Sequence, residues 1–144
     1  MKNRNLIHID HWKTPKEFYE KLNGEFNFNF DPCPLHPKFN GLLIDWEDRN
    51  FVNPPYSRKL KEAFIRKAFE ESRNGKLCVM LLPVSTSTKI FHEIIYPNSE
   101  IRFVKNRISF EGTNSFGQKV GKGSAPMHDS MICIFRPKTN GGLK

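Results

Sequence analysis

The sequence predicts an α/β domain in which helices cover both faces of a sheet. Helical patterns alternate along the chain with strand-like segments, as expected of this fold class. Residues 77–82 are apolar at every position, which is typical of a central strand covered on both sides. Polar residues follow several strand-like segments, and in such sheets ligands bind at the carboxyl ends of the strands. The 144 residues are enough for one domain with a core of its own.

The first helix is predicted to begin near residue 14, after a lead-in over residues 1–10. Thr14 fits the N-cap and Pro15 the first turn, and Glu17 completes a capping box. An Asn-Gly pair at residues 23–24 predicts that the helix ends there.

A half-buried strand is predicted next, because phenylalanines alternate with polar residues at positions 26–30. Prolines at 32 and 34 exclude its continuation. Short strands are also predicted at residues 42–44 and 50–52.

The clearest helix covers residues 57–74, where apolar and charged side chains occupy opposite sides. The apolar strand at residues 77–82 follows it, and another amphipathic helix is predicted at residues 87–96. Further strands are predicted at residues 101–104, 107–110 and 131–135, with a loop at residues 112–126.

The composition indicates a polyanionic partner. Lys and Arg number 23 and Asp and Glu 15, giving a net charge of +8, which disfavours acidic-protein and cationic substrates. Cys78 and Cys133 lie in apolar runs and are predicted to be buried, reduced thiols, as expected in the cytoplasm. Cys33 and His36 have the spacing of half a zinc site, but no second pair matches them, so no metal is predicted. The sequence shows no signal peptide or membrane span, and we expect no membrane partner.

The tetrapeptide Asn53-Pro54-Pro55-Tyr56 carries the most chemical information. Its prolines stiffen a strand-to-helix turn, so the Asn53 side-chain oxygen and the Pro54 carbonyl become two fixed acceptors for one exocyclic amine. Hydrogen bonds from both amine protons leave the nitrogen lone pair available for alkylation. Tyr56 offers a flat face on which a planar group can stack. The alternative is a purely structural turn, with Pro for rigidity and Tyr for packing.

An ordered set of motifs accompanies this turn. They are Asp10-His11-Trp12-Lys13-Thr14-Pro15, Phe30-Asp31-Pro32, Asp45-Trp46, the segment 51–57, Lys67-Ala68, the segments 79–83 and 107–110, Ala125-Pro126 and Ser130-Met131. In this order and spacing, the chain resembles the phage-encoded Dam-like DNA N6-adenine methyltransferases, which depend on S-adenosylmethionine. The resemblance covers about residues 10–136 and implies a compact, truncated Rossmann-like methyltransferase fold with a mixed, mostly parallel sheet.

The resemblance also implies a reaction and its site. A methyl group passes from S-adenosylmethionine to the N6 amine of an adenine that has been flipped out of double-stranded DNA. The implied catalytic residues are Asn53, Pro54, Pro55 and Tyr56. The implied cofactor-binding residues are Trp12, Thr14, Pro15, Asp31, Pro32, Cys33 and Asp45.

Some of these cofactor roles have a physical reason. The Asp31 carboxylate suits the ammonium of the cofactor's amino-acid tail, although Asp31 also fits a plain turn before proline. Thr14 and the free N–H groups of the first helix suit the tail's carboxylate. Trp12 fits either cofactor contact or core packing, and Asp45 fits either the cofactor's ribose or adenine or a structural role.

DNA phosphates are expected to contact basic residues near the presumed base pocket. The candidate phosphate contacts are Arg58, Lys59, Lys61, Arg107, Lys119 and Lys122. For Arg58, Lys59 and Lys61 the alternative is a solvated helix face. For Phe116 two roles stay open, a wedge in the base stack and a cover on the core.

The chain departs from its larger relatives in two ways. It has no Gly-rich turn after Asp31, and the interval from Asp31 to Asn53 is too short for a full helical crossover. A non-enzymatic DNA-binding relative that has lost cofactor binding with this turn is therefore an alternative. Other possible targets are cytosine N4, RNA adenine or, against the charge, a protein Gln amide, because each presents a conjugated NH2 group. We expect a methyltransferase domain at residues 11–137 and a flexible tail at 138–144, in a bacterial cytoplasm and encoded by a phage or prophage.

Overall fold

The computed structural model of the chain describes residues 11–113, 119–120 and 128–138. No helix in these ranges is both long and apolar enough to cross a membrane. The elements are, in chain order, β1 (His11–Lys13), α1 (Lys16–Phe26), β2 (Arg49–Val52), α2 (Arg58–Arg73), β3 (Leu77–Pro83), a π-helix (Phe91–Ile95), α3 (Tyr96–Asn98), β4 (Glu100–Phe103), β5 (Glu111–Thr113), β6 (Lys119–Val120) and β7 (Ser130–Phe135).

The main sheet has the strand order β2-β3-β7-β4. β2 pairs parallel with β3, and β7 lies antiparallel between β3 and β4. β2, β3 and β4 therefore run in one direction and β7 in the other. This arrangement confirms the predicted α/β class with a mixed sheet.

Helices lie on both faces of this sheet, as predicted. β3 is buried along its whole length, with Met80 and Leu82 in one core cluster and Val79 and Leu81 in the other. The alternation follows from the two-residue period of a strand. The first cluster includes Phe64, Ile65 and Ala68 of α2 and Phe91 and Ile95 of the π-helix, and the second includes Phe26 of α1 with the half-buried Phe18, Tyr19 and Leu22.

The elements with strong local patterns confirm the sequence predictions. α2 and β3 match the segments 57–74 and 77–82, and the strands predicted at 50–52, 101–104 and 131–135 correspond to β2, β4 and β7. The helix predicted at 87–96 is present as the π-helix followed by α3. Cys78 and Cys133 are free and buried, and burial raises the pKa of each thiol to about 12.

The prediction of a strand at residues 26–30 is wrong. α1 continues through the Asn-Gly pair to Phe26 and ends where Asn27 adopts a left-handed conformation with φ 55°. Only Phe30 makes an isolated parallel bridge, to Asn50. The alternating rings pack on one another instead, with the centroids of Phe26 and Phe28 5.8 Å apart.

A second, small sheet has the order β1-β5-β6, with antiparallel pairing throughout. Two predictions for this part of the chain are wrong. Residues 107–110 form no strand, and the predicted loop at 112–126 contains strand residues at 112–113 and 119–120. The rest of that loop lies outside the described residues, as do residues 1–10 and 139–144. The short strand predicted at 42–44 is also absent, and Leu43 in that segment is 79% exposed.

Candidate active site

Asn53 follows β2 directly, and residues of β1 and its continuation fix its orientation. The Asn53 amide nitrogen Nδ2 donates to the main-chain oxygen of Trp12 and to Thr14 Oγ1, the latter at 3.0 Å. The main-chain oxygen of Asn53 accepts a hydrogen bond from His11 Nε2 at 2.8 Å. Because the Trp12 oxygen can only accept, the nitrogen of the amide must face it. Thr14 therefore binds Asn53 and does not form the predicted capping box: Pro15 is the N-cap of α1, with no side-chain capping bond.

The other half of the same amide has no partner. Asn53 is 5% exposed, and its Oδ1 is buried without a hydrogen bond to any described residue. Leaving a buried acceptor unpaired costs about 1–3 kcal/mol, so such an atom is rare in a folded protein unless a ligand satisfies it. The turn thus offers one oriented, unused acceptor.

Asn53 lies in the wall of a cavity of about 460 Å³, a size typical of small-molecule sites. The structure brings four of the predicted cofactor-binding residues, Trp12, Thr14, Asp31 and Cys33, into the same wall. Sequence reasoning missed the other lining residues, which it had assigned to the lead-in motif, the helix or the loop. These are His11, Lys13, Lys16, Tyr19, Pro34, Leu35 and Phe51.

Asp31 is the acidic group of this cavity. Desolvation by the surrounding protein raises the pKa of its carboxyl to about 6, although the Cys33 main-chain N–H, which donates to Oδ1 at 2.9 Å, acts in the opposite direction. The residue keeps contact with solvent across the open side of the cavity. Burial and the charge of Asp31 also raise the pKa of Tyr19. A carboxylate in such surroundings gains from a cationic partner.

Three predicted cofactor residues do not line the cavity. Pro15 caps α1, and Pro32 is buried beside Gly41. Asp45 is exposed, and its charge contributes to raising the pKa of Lys76, which immediately precedes β3. Asp45 therefore lies near the amino end of β3, whereas the cavity lies at the carboxyl end of β2. The contact of Asp45 with the cofactor's ribose or adenine stays a prediction.

Tyr56 is buried, with 7% of its surface exposed. Its ring meets those of Phe110 and His128 edge-on, with centroids 6.1 and 5.8 Å away. The open stacking face expected from the sequence is thus absent in this conformation, because aromatic neighbours pack around the ring. Pro54 and Pro55 are buried as well.

The predicted phosphate contacts are divided among several places. Arg58 and Lys61 line a second cavity, while Lys59 is exposed on the first turn of α2. Arg107 is exposed and pairs with Asp129 at 3.1 Å. Lys119 belongs to β6, but its side chain is not described, and Lys122 and Phe116 lie outside the described residues. In the part of the chain that the structure covers, no three His, Cys, Asp or Glu residues cluster as metal ligands do.

The chain is similar in sequence to known DNA methyltransferases. A family model described as DNA N-6-adenine-methyltransferase (Dam) matches residues 3–142. The chain is 33% identical to the DNA N-6-adenine-methyltransferase of Haemophilus phage HP1 over 94% of this chain and 84% of that protein. It is 28% identical to the protein of the same name from Escherichia phage T1, over 67% of this chain and 45% of the phage T1 protein. No solved structure matches significantly.

Proposed function

This chain belongs to the DNA N-6-adenine-methyltransferase (Dam) family, and from that membership we propose that it transfers a methyl group from S-adenosylmethionine to the N6 amine of adenine in double-stranded DNA. The net charge of +8 suits a DNA substrate. The phage origin of the two relatives supports a phage or prophage gene acting in the bacterial cytoplasm.

The larger cavity has the chemistry that this cofactor requires. Asp31 offers a carboxylate to the ammonium of the amino-acid tail, and Lys13 and Lys16 in the same wall suit its carboxylate. Thr14 Oγ1 accepts from Asn53 and keeps its own hydrogen to donate. Trp12 and Cys33 supply apolar wall, while Pro15 and Pro32 shape the backbone on either side. When bound, the cofactor supplies an electrophilic methyl group carried on a sulfonium.

The turn at Asn53 prepares the amine for attack. Asn53 Oδ1 accepts one N6 proton and the Pro54 carbonyl accepts the other, while Pro55 keeps the turn rigid. With both protons engaged, the nitrogen lone pair is drawn less into the purine ring and becomes a better nucleophile. No side-chain base is needed, because the extra proton leaves after the methyl group has been transferred. Stacking of the adenine on Tyr56 requires the edge contact with His128 to open.

The strand arrangement supports a truncated Rossmann-like fold. β2, β3 and β4 run in the same direction, and the cavity lies at the carboxyl end of β2, where open α/β sheets bind their ligands. Asp31 follows the single bridge residue Phe30, which pairs parallel with β2. We therefore assign Phe30 to a remnant of the strand that carries the cofactor carboxylate in a longer sheet.

The observation that carries this proposal is that Asn53, a residue of the cavity wall, has a buried side-chain oxygen, Oδ1, without a hydrogen-bond partner among the described residues. Replacing Asn53 by Ala removes that acceptor, and we expect loss of methyl incorporation into DNA with the fold retained in circular dichroism. Mass spectrometry of digested DNA and RNA separates N6-methyladenine from N4-methylcytosine and methylated RNA. Full activity of the Ala variant contradicts the proposed role. Failure of the wild-type protein to bind S-adenosylmethionine in calorimetry supports a non-enzymatic relative instead.

A further inference from the structure

A second cavity, of about 350 Å³, opens at the carboxyl end of β3. Its apolar floor belongs to the core between the main sheet and α2, and includes Ile65, Leu82 and Met131. The cofactor cavity, in contrast, takes Trp12 and Phe51 from the core on the other face. The two cavities are therefore separate sites. The turn that leads from β2 into α2 connects Asn53, in the wall of one cavity, with Arg58, in the wall of the other.

The rim of the second cavity is basic. Arg58 and Lys61 from α2 and Lys89 from the segment after β3 line it, together with one carboxylate, Glu62. Glu62 Oε2 lies 3.3 Å from Arg58 Nε. Among the described lining residues, three cations thus accompany one carboxylate, and an anion at this rim gains from the net positive charge.

The first turn of α2 has charges opposite to those that a helix favours. It contains no acidic residue, and the N-cap Ser57 makes no side-chain capping bond. Cations at this end face the positive pole of the helix dipole, which is unfavourable, whereas an anion is favoured there. The charges of Arg58 and Lys61 therefore destabilise the start of α2, and a bound anion offsets this destabilisation.

The remaining lining residues favour a phosphate group over a nucleobase. Ser85, Ser87 and Thr88 contribute hydroxyl groups, and the Thr88 hydroxyl donates to the main-chain oxygen of Ser85 at 2.9 Å. The two serine hydroxyls suit non-bridging phosphate oxygens. Among the described residues, no Phe, Tyr, Trp or His side chain lines this cavity, so they provide no aromatic platform on which bases stack.

We propose that the rim of this second cavity binds a phosphodiester of the DNA strand that carries the target adenine. The inference rests on the proposed function, because the adenine position is taken from Asn53. Arg58 follows Asn53 by five residues, so its Cα lies at most about 18 Å away along the chain. A strand whose adenine occupies the site at Asn53 can reach the rim with a nearby phosphate. The contact fixes the register of the strand without reading its sequence.

The test is the salt dependence of DNA binding. Lys89→Gln removes one rim cation from an exposed position and leaves α2 intact. Arg66→Gln is the matched control, because Arg66 is an exposed cation of α2 that does not line the cavity. A fluorescent DNA duplex is titrated with each protein at several NaCl concentrations, and the slope of log Kd against log salt is compared.

We expect Lys89→Gln to reduce the magnitude of the slope by about 0.9, the value for one phosphate contact, while Arg66→Gln leaves it close to that of the wild type. Ser87→Ala should weaken DNA binding with little change of slope, because its hydroxyl is uncharged. Equal slopes for the two charge variants overturn the proposed site and reveal only a diffuse basic surface. Calorimetry with S-adenosylmethionine serves as a separate readout: Lys89→Gln should bind the cofactor like the wild type, and absence of cofactor binding in both proteins counts against the proposed function and not against the phosphate site.

Discussion

Replacing Asn53 by Asp tests whether β1 fixes the orientation of the active-site amide. Considered as an isolated turn, the sequence allows either residue, because both side chains carry an oxygen acceptor. In the structure, Asn53 Nδ2 donates to the main-chain oxygen of Trp12 and to Thr14 Oγ1. A carboxylate oxygen at the position of Nδ2 faces the Trp12 oxygen without a hydrogen between them. We therefore expect the Asp variant to be less stable and less active than the wild type.

The expected loss of stability depends on which hydrogen bonds of the Asn53 side chain are kept in the Asp variant. The Thr14 hydroxyl can rotate to donate to a carboxylate, so this contact is kept, whereas the hydrogen bond from residue 53 to the Trp12 oxygen is lost. Losing this donor costs about 1–3 kcal/mol, and burial of the charge adds to the penalty. If about 1–3 kcal/mol is also lost from the transition state, turnover decreases by about 5-fold to 150-fold.

The pH dependence gives the sign of this effect. A protonated carboxyl can donate to the Trp12 oxygen, so we expect the folded-state pKa of the new carboxyl to lie above its unfolded value of about 3.9. A raised folded-state pKa gives stability that is fully present below the unfolded pKa and is lost as pH rises through the folded pKa. The stability difference between variant and wild type should therefore be small near pH 4 and largest at pH 8.

Urea unfolding across this pH range measures the stability difference, and methyl incorporation per folded molecule measures turnover. Asn50→Asp is the matched control, because Asn50 is a fully buried amide in β2 whose Nδ2 donates to the main-chain oxygens of Glu47 and Leu77, away from the cavity. Both variants should lose stability, but only Asn53→Asp should lose turnover. If Asn53→Asp matches the wild type in both measurements at pH 8, the proposed fixing of the amide by β1 is wrong.

Three further predictions concern the cofactor cavity, the loop beside it and a buried carboxylate of α2. Because the pKa of Asp31 is about 6 and the ammonium of the cofactor requires the ionised carboxylate, S-adenosylmethionine affinity in calorimetry should decrease from pH 7.5 to pH 5, and Asp31→Asn should bind more weakly with no such decrease. In Gly41→Ala, the new Cβ overlaps the Pro32 carbonyl oxygen. This overlap should lower the free energy of unfolding in urea by about 1–3 kcal/mol and weaken cofactor binding. The control, Gly24→Ala in α1, has open space around the new Cβ and should raise the free energy of unfolding by about 0.5–1 kcal/mol. Burial acts to raise the pKa of Glu71, but the hydrogen bonds and charges of its two lysine partners outweigh burial and hold the pKa below its usual value. Glu71→Gln should therefore cost about 1.5–3 kcal/mol in urea unfolding at pH 7, and the difference from the wild type should close as pH falls through the lowered pKa of the wild-type carboxylate.

The parts of the fold that were predictable are those in which local pattern and tertiary packing agree. The helix over α2 and the strand over β3 have one consistent period each, and both formed as predicted. The segment at residues 26–30 has the period of a strand, but its rings pack beside the end of α1 and only Phe30 pairs with β2. Periodicity reports which side chains are buried and does not report whether a neighbouring strand is available.

The sequence motifs singled out several residues that line the cavity but did not show how they come together. Asn53 follows a strand and lines the cavity with Asp31 and Thr14, whereas the rest of the tetrapeptide does not line it. The antiparallel pairing of β1 with β5 joins residues about 100 positions apart, so no local signal announces it. Asp45 lay close in sequence to the expected motif, but the chain between Asp31 and β2 forms no helix that would return it to the cavity.

The small sheet completes the site although the chain between Asp31 and Asn53 is too short for a crossover helix. A full crossover helix between Asp31 and Asn53 would cover one side of the cavity, but residues 31–48 contain neither helix nor strand. β1 takes this place: its His11 donates to the main chain of Asn53, and the residues after it line the cavity. Because β1 both pairs with β5 and contacts Asn53, the orientation of Asn53 depends on the docking of the small sheet. Variants that weaken the β1–β5 pairing should therefore reduce turnover before they reduce the stability of the main sheet.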